Sequence, residues 1–148
     1  MDICFTKGSG KYDEMRVTRD SGVSETIACP KQRIIPHDMV HYVVESTLQK
    51  RGFLSRVRNG EAANFRMAAE SESDGVERLV EAIQGDAWSG GNSAPQEVLD
   101  LYLVTCVARE CPPLPVGTAD IDAIRATMQK LDAHWQALDV GQSMDLTL

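Results

Sequence analysis

The strongest constraint on the fold is a change of hydrophobic period along the chain. Over the first thirty residues apolar and polar side chains alternate in three segments, around Ile3–Phe5, around Met15–Val17 and from Val23 to Cys29. Strict alternation is typical of a half-buried strand. From Pro36 onward the apolar residues recur at helical spacing, and alternation returns only at 143–148. Three strands, a run of helices and one last strand are therefore expected.

This order predicts an α+β fold for residues 1–148 as a single domain. Strands grouped ahead of helices favour an antiparallel sheet with helices on one face. We expect about four strands, three N-terminal and one C-terminal, with the last one joining the N-terminal hairpins. About four helices should cover the sheet; the predicted segments are Pro36 to Lys50, Gly75 to Gln84, a segment opened by Pro95, and Thr118 to Leu138. Ala62 to Ala69 is compatible with a helix or a weak strand.

The helix opened by Pro95 is the most apolar segment of the chain. Its side chains leave almost no polar face, with apolar residues at Val98, Leu99, Leu101, Tyr102, Leu103, Val104, Cys106 and Val107. A helix that is apolar nearly all round is normally buried. The pattern predicts a central core helix.

Composition and charge narrow the class of protein. The net charge of −7 argues against a nucleic-acid binder or a ligand of anionic membranes. The first residues lack the basic flank and apolar run of a signal peptide, and no apolar stretch is long enough to span a bilayer. A soluble, cytoplasmic protein is expected, with its four cysteines as free thiols.

Basic residues gather between Lys31 and Arg58, where six of them stand against two acidic residues. One interpretation is an anion-binding patch that uses Arg33 and Arg51. The other is a solvated surface, in which the arginines and lysines that follow the helix favour its C-terminal dipole. The sequence leaves both open.

The segment Pro36–Lys50 carries the most suggestive chemistry, a histidine pair four residues apart. At 100° per residue, His37 and His41 lie about 40° apart on the helix, within the stripe that also holds Val44 and Leu48. Side chains four apart on a helix lie next to each other, so two imidazoles can bind one metal ion. Both histidines are therefore expected to face the protein body.

These positions predict a divalent metal site, for zinc or a similar ion, with His37, His41 and Glu45 as ligands. Asp38, Cys29, His134 or a distant residue are further candidates to complete it. A coordination position left open would make a metal-bound water available for hydrolysis. Asp38 and Glu45 are then the candidate catalytic carboxylates, Asp38 standing where His-Glu-x-x-His proteases carry their general base. The alternative is a non-enzymatic interaction or regulatory module with structural histidines.

The stretch Pro36-His37-Asp38-Met39-Val40-His41-Tyr42-Val43-Val44-Glu45, after a strand-rich start, resembles an element of small uncharacterised bacterial proteins. The resemblance covers about the first third of the chain and implies no settled activity. The His-Asp dipeptide is also found in HD-type metal phosphohydrolases. That family needs a histidine upstream of the dipeptide and an aspartate downstream of it, on an all-helical scaffold. No histidine precedes His37 in this sequence, and a sheet is expected, so this family is rejected.

Overall fold

Four strands form one antiparallel sheet in the computed structural model, which describes residues 1–63 and 67–148. The strands are β1 (Asp2–Thr6), β2 (Tyr12–Thr18), β3 (Ser24–Pro30) and β4 (Ser143–Thr147). Their order across the sheet is β3-β2-β1-β4, so the C-terminal strand pairs with the first one. The predicted fold class and the return of the last strand to the N-terminal hairpins are confirmed.

One face of the sheet is apolar because the strands alternate as the sequence predicts. The register sets Ile3 opposite Val17 and Phe5 opposite both Met15 and Met144. All of these side chains are buried. Burying this face against helices removes its apolar area from water. This burial stabilises the fold by roughly 25 cal/mol per Å² of apolar area.

Five helices lie within the described residues, one more than expected. They are α1 (His37–Leu48), α2 (Phe53–Arg58), α3 (Ser71–Trp88), α4 (Pro95–Ala108) and α5 (Thr118–Ala137). The additional one is α2, a helix of less than two turns that the residue pattern does not indicate. Helix α1 follows β3 and packs against α3, α5 and the short α2.

The prediction that the Pro95 helix is a central core helix is wrong. In α4 only Val98, Tyr102 and Cys106 are buried, whereas Val104 is 65% and Val107 80% exposed. The helix rests against α3 and α5 on one side and faces solvent on the other. Hydrophobic pattern alone measures how apolar a segment is, and it cannot determine how many neighbours cover it.

Two further segments differ from expectation. Helix α3 is longer than predicted at both ends, so the glycine-rich loop that follows it begins only after Trp88. The helix or weak strand expected over 62–69 falls partly on residues 64–66, outside the described residues. Its flanks at 62–63 and 67–69 belong to neither a helix nor a strand.

No helix among the described residues is long and apolar enough to cross a membrane.

Candidate metal site

The candidate site lies between α1 and α3, which run in opposite directions. His37, at the start of α1, contacts Gln84 near the end of α3. His41 lies one turn further along α1 and contacts Glu77, which lies two turns before Gln84 on α3. Residues 37 and 41 share a face of α1, and residues 77 and 84 share a face of α3. The packing of the two helices therefore assembles one polar group from four positions.

Three of these side chains bring ligand atoms together. One atom each from His37, His41 and Glu77 lies within 4.8 Å of the others, and we call this set the His37–His41–Glu77 cluster. Glu77 Oε2 is 3.0 Å from His41 Nε2, and Glu77 Oε1 is 3.8 Å from His37 Nε2. The rings of the two histidines meet edge to face, with centroids 4.9 Å apart. Both Nε2 atoms thus point toward the same carboxylate.

The other nitrogen of each imidazole faces an oxygen acceptor. His37 Nδ1 is 2.7 Å from Gln84 Oε1, which accepts a hydrogen bond from an Nδ1–H. His41 Nδ1 is 3.3 Å from Glu45 Oε1, close enough for an ion pair although not aligned for a hydrogen bond. Metal-binding histidines usually direct their second ring nitrogen to such an oxygen, which orients the ring and selects the tautomer.

Burial and charge act in opposite directions on the two central groups. Burial lowers the pKa of His41, but its contacts with Glu45 and Glu77 outweigh burial and raise the pKa to about 10. Burial raises the pKa of Glu77, but the hydrogen bond and charge of His41, with the charges of His37 and Arg78, lower it to about 2. Without a metal, His41 is an imidazolium paired with the Glu77 carboxylate at neutral pH. A metal ion would replace the proton of His41.

Glu45, the third ligand expected from the sequence, lies outside this cluster. Its carboxylate is fully buried and caps the start of α2, where it accepts hydrogen bonds from backbone N–H groups. The donors are Gly52 N at 3.2 Å, Leu54 N at 2.9 Å, and both Ser55 N at 2.7 Å and Ser55 Oγ at 2.6 Å. An anion at a helix N-terminus satisfies N–H groups that have no partner within the helix. Glu45 thus contacts His41 from the side opposite to Glu77.

Asp38 lies beside the cluster but not in it. Its Oδ2 accepts a hydrogen bond from Cys29 Sγ at 3.2 Å, and it lines the same cavity as His37, His41 and Glu77. Burial makes the largest contribution to the pKa of the Cys29 thiol, and the charge of Asp38 adds to it. Together they raise this pKa well above its ordinary range. Cys29 therefore stays protonated and donates to Asp38, which differs from the role of a thiolate ligand.

The two arginines of the expected anion site lie at opposite ends of α1. Arg33 is exposed in the segment before the helix, where its backbone has a φ of 66°. Arg51 follows the helix and is held by acidic residues: its Nε is 2.6 Å from Glu70 Oε1, and its Nη2 is 3.2 Å from Glu61 Oε1. The structure does not bring the two guanidinium groups together, and neither lines the cavity at the histidines.

Glu77 and Gln84 are residues of this site that the sequence pattern does not predict. They are separated by seven positions, two helical turns, on the polar side of the Val76, Leu79, Val80 and Ile83 stripe of α3. That spacing is a signal, but it is shared by many pairs of polar residues on surface helices. Only the packing of α3 on α1 singles this pair out.

Comparisons with protein-family models, with curated proteins and with solved structures returned no match for this chain.

Proposed function

We propose that this chain binds one divalent metal ion, zinc or a similar ion, through His37, His41 and Glu77, and uses it for hydrolysis. The observation that carries the proposal is the orientation of the two imidazoles. Both direct Nε2 toward Glu77, and both have Nδ1 close to an oxygen acceptor, Gln84 or Glu45. Two histidines and one glutamate are a ligand set that hydrolytic zinc sites use.

Three protein ligands leave a fourth position on a tetrahedral ion. A bound divalent metal would lower the pKa of a water molecule in that position toward neutrality. Asp38, whose carboxylate lines the same cavity, is our candidate for the proton acceptor. The proposal includes the cytoplasmic location and the bacterial kinship that the sequence predicts.

The direct test is metal binding by the chelator-treated protein, measured by equilibrium dialysis with elemental analysis. We expect one zinc ion per chain, and an affinity at least about tenfold lower in His37→Gln and in Glu77→Gln. His134→Gln is the matched control, since His134 is exposed on α5 and outside the cluster. Substoichiometric binding, or equal losses in the control, would refute the site.

The hydrolytic part has its own test, cleavage of p-nitrophenyl acetate by the zinc-loaded protein. We expect the rate to fall in Glu77→Gln because zinc is lost, and in Asp38→Asn with zinc still bound. The bound zinc is measured in the same samples, which separates loss of metal from loss of a proton acceptor. A rate that is unchanged by zinc removal would contradict a metal-dependent reaction.

A second candidate function is an interaction module with structural histidines. It is favoured by one observation: His41 is enclosed by two carboxylates, so its charge is compensated without a metal. The zinc titration separates the two functions, since a structural pair predicts no metal binding and a loss of stability on removal of His41.

A further inference from the structure

A cavity of about 490 Å³ opens beside the His37–His41–Glu77 cluster. Its walls come from β3, from the start of α2 and from the chain on both sides of residues 64–66, and most of them are apolar. Among the described residues, the apolar lining consists of Ile27, Ala28, Pro30, Phe53, Ala63 and Met67. Cavities of roughly 300–1,000 Å³ with mostly apolar walls and a few polar groups are typical of small-molecule sites.

Apart from Gln32, the polar residues that line this cavity lie at the cluster. His37, His41, Asp38 and Glu77 line it there, and the ring of Phe53 lies against His41 with centroids 5.7 Å apart. Of these four, His41 and Glu77 form an ion pair, so the Asp38 carboxylate supplies the excess of negative charge at this end of the cavity. A bound anion would be repelled by this charge and would gain little from the apolar walls, where a desolvated charge is costly.

We infer that this cavity binds a small uncharged molecule with an apolar body, held so that one of its oxygen or nitrogen atoms faces the metal. The apolar body would fill the space at Phe53, Met67 and Ile27. The orientation of the molecule rests on the proposed function, since it needs the metal in the cluster. The choice of an uncharged apolar ligand does not rest on the proposed function, because it follows from the apolar walls and the Asp38 carboxylate alone.

Two dyes with the same ring skeleton test the ligand class in the metal-free protein. N-phenyl-1-naphthylamine is uncharged, and 1-anilinonaphthalene-8-sulfonate is the same molecule with a sulfonate group. We expect the uncharged dye to bind at least about tenfold more tightly in a fluorescence titration. Equal affinities, or tighter binding of the sulfonate, would overturn the inference.

Variants then locate the bound dye. Met67→Glu and Phe53→Ser each make the wall polar, and we expect each to weaken binding of the uncharged dye at least about fivefold. Val107→Glu is the matched control, because it places the same charge on the exposed apolar face of α4. Circular dichroism verifies the fold of all three. Weakening by Val107→Glu but not by the cavity variants would place the dye on α4 and overturn the inference.

A pair of hydroxamates tests the orientation in the zinc-loaded protein. Acetohydroxamic acid and benzohydroxamic acid are uncharged in neutral solution, share the metal-binding group and differ in the apolar body. We expect benzohydroxamic acid to bind at least about tenfold more tightly, since its phenyl ring is removed from water in the cavity. The gain should disappear in Met67→Glu, and equal affinities in the unmodified protein would overturn the orientation. If zinc fails to bind while the uncharged dye still binds in the cavity, the proposed function fails and the ligand class stands.

Discussion

At the scale of single residues, the central group of the site is His41, a buried imidazole between two carboxylates. Glu45 approaches its Nδ1 and Glu77 its Nε2. The surroundings of the two carboxylates differ. Glu45 accepts hydrogen bonds from backbone N–H groups of α2, whereas the side chain of Glu77 is one-third exposed and lines the cavity. This difference leaves Glu77 as the carboxylate that a metal ion could reach.

The first prediction concerns the pH dependence of stability in the metal-free protein. The lowered pKa of Glu77 contributes stability that is present above its ordinary pKa of 4.5 and is lost as the pH falls toward 2. The raised pKa of His41 contributes stability that is present below its ordinary pKa of 6.5 and is lost as the pH rises toward 10. The pair therefore stabilises the fold most between these two ordinary values.

Urea unfolding across that range measures the effect. The free energy of unfolding of Glu77→Gln should vary less with pH than that of the unmodified protein, both in the acidic and in the basic limb. Parallel pH profiles for the two proteins would mean that His41 and Glu77 are not an ion pair.

The second prediction separates Glu45 from the metal ligands. Glu45→Gln keeps the side-chain volume but removes the charge of the carboxylate. That carboxylate accepts hydrogen bonds from three backbone N–H groups and from the Ser55 hydroxyl. We expect a loss of about 2–4 kcal/mol in the free energy of unfolding, because hydrogen bonds to a charged buried group are worth roughly 1.5–3 kcal/mol. Zinc stoichiometry in the folded variant should remain one. Loss of zinc with little loss of stability would instead make Glu45 a ligand.

At the scale of secondary-structure elements, the contact between α1 and the start of α2 depends on a glycine. A Cβ at Gly52 would lie 2.6 Å from the carboxylate carbon of Glu45 and 2.6 Å from Val76 Cγ1. The short α2 can receive the Glu45 cap only because nothing occupies this space. Phe53, which begins α2, is in turn placed against His41.

The third prediction follows from that close approach. Gly52→Ala should lower the free energy of unfolding by about 1–3 kcal/mol, since the added methyl group has to displace a buried carboxylate or a core valine. Gly85→Ala, in α3 where a Cβ meets nothing within 4 Å, is the control and should be neutral or slightly stabilising. Equal melting temperatures for the two variants would contradict the packing at Gly52.

The fourth prediction contrasts the two faces of α4. The buried Tyr102 hydroxyl donates to Gly75 O at 3.1 Å and accepts from Leu114 N at 2.8 Å. Tyr102→Phe should therefore cost about 1–3 kcal/mol in the free energy of unfolding, because two buried polar groups lose their partner. Val107→Thr, on the exposed face, should change it by less than about 0.5 kcal/mol. A large loss in the free energy of unfolding from Val107→Thr would mean that this face is buried and that α4 is a core helix.

At the scale of the whole molecule, the candidate metal site exists only when α1 and α3 are packed together. The sheet supports α1 through one core that includes Ile3, Phe5, Met39 and Val43, and α3 joins that core through Val76 and Leu79. Unfolding separates the two helices and so disperses the three candidate ligands. Metal binding at this site would therefore be linked to folding.

The fifth prediction states this linkage. Free zinc at 100 times its Kd should raise the free energy of unfolding by about 2.7 kcal/mol. The rise should be absent in Glu77→Gln and retained in His134→Gln, as followed by thermal unfolding at several zinc concentrations. A zinc-dependent shift that survives in Glu77→Gln would place the binding elsewhere.

Much of the architecture is encoded in local pattern. Alternation places Ile3, Phe5, Met15 and Val17 on one face whatever their partners are, because successive side chains of a strand point to opposite sides. Helical spacing places His37 and His41 side by side for the same kind of reason. These features depend on near neighbours in the chain, so residue pattern alone predicts the strands, helix α1 and the adjacency of His37 and His41. Only His41 is buried, whereas the side chain of His37 is 38% exposed.

The other features of the site depend on contacts between residues that are distant in the chain. Glu77, and not Glu45, lies beside Nε2 of His41 because α3 packs antiparallel to α1. No residue spacing within α1 contains that information. The exposure of α4 has the same origin, since coverage of an apolar helix depends on which neighbours reach it. Periodicity specifies which face of an element is apolar, and the packing of elements determines what that face meets.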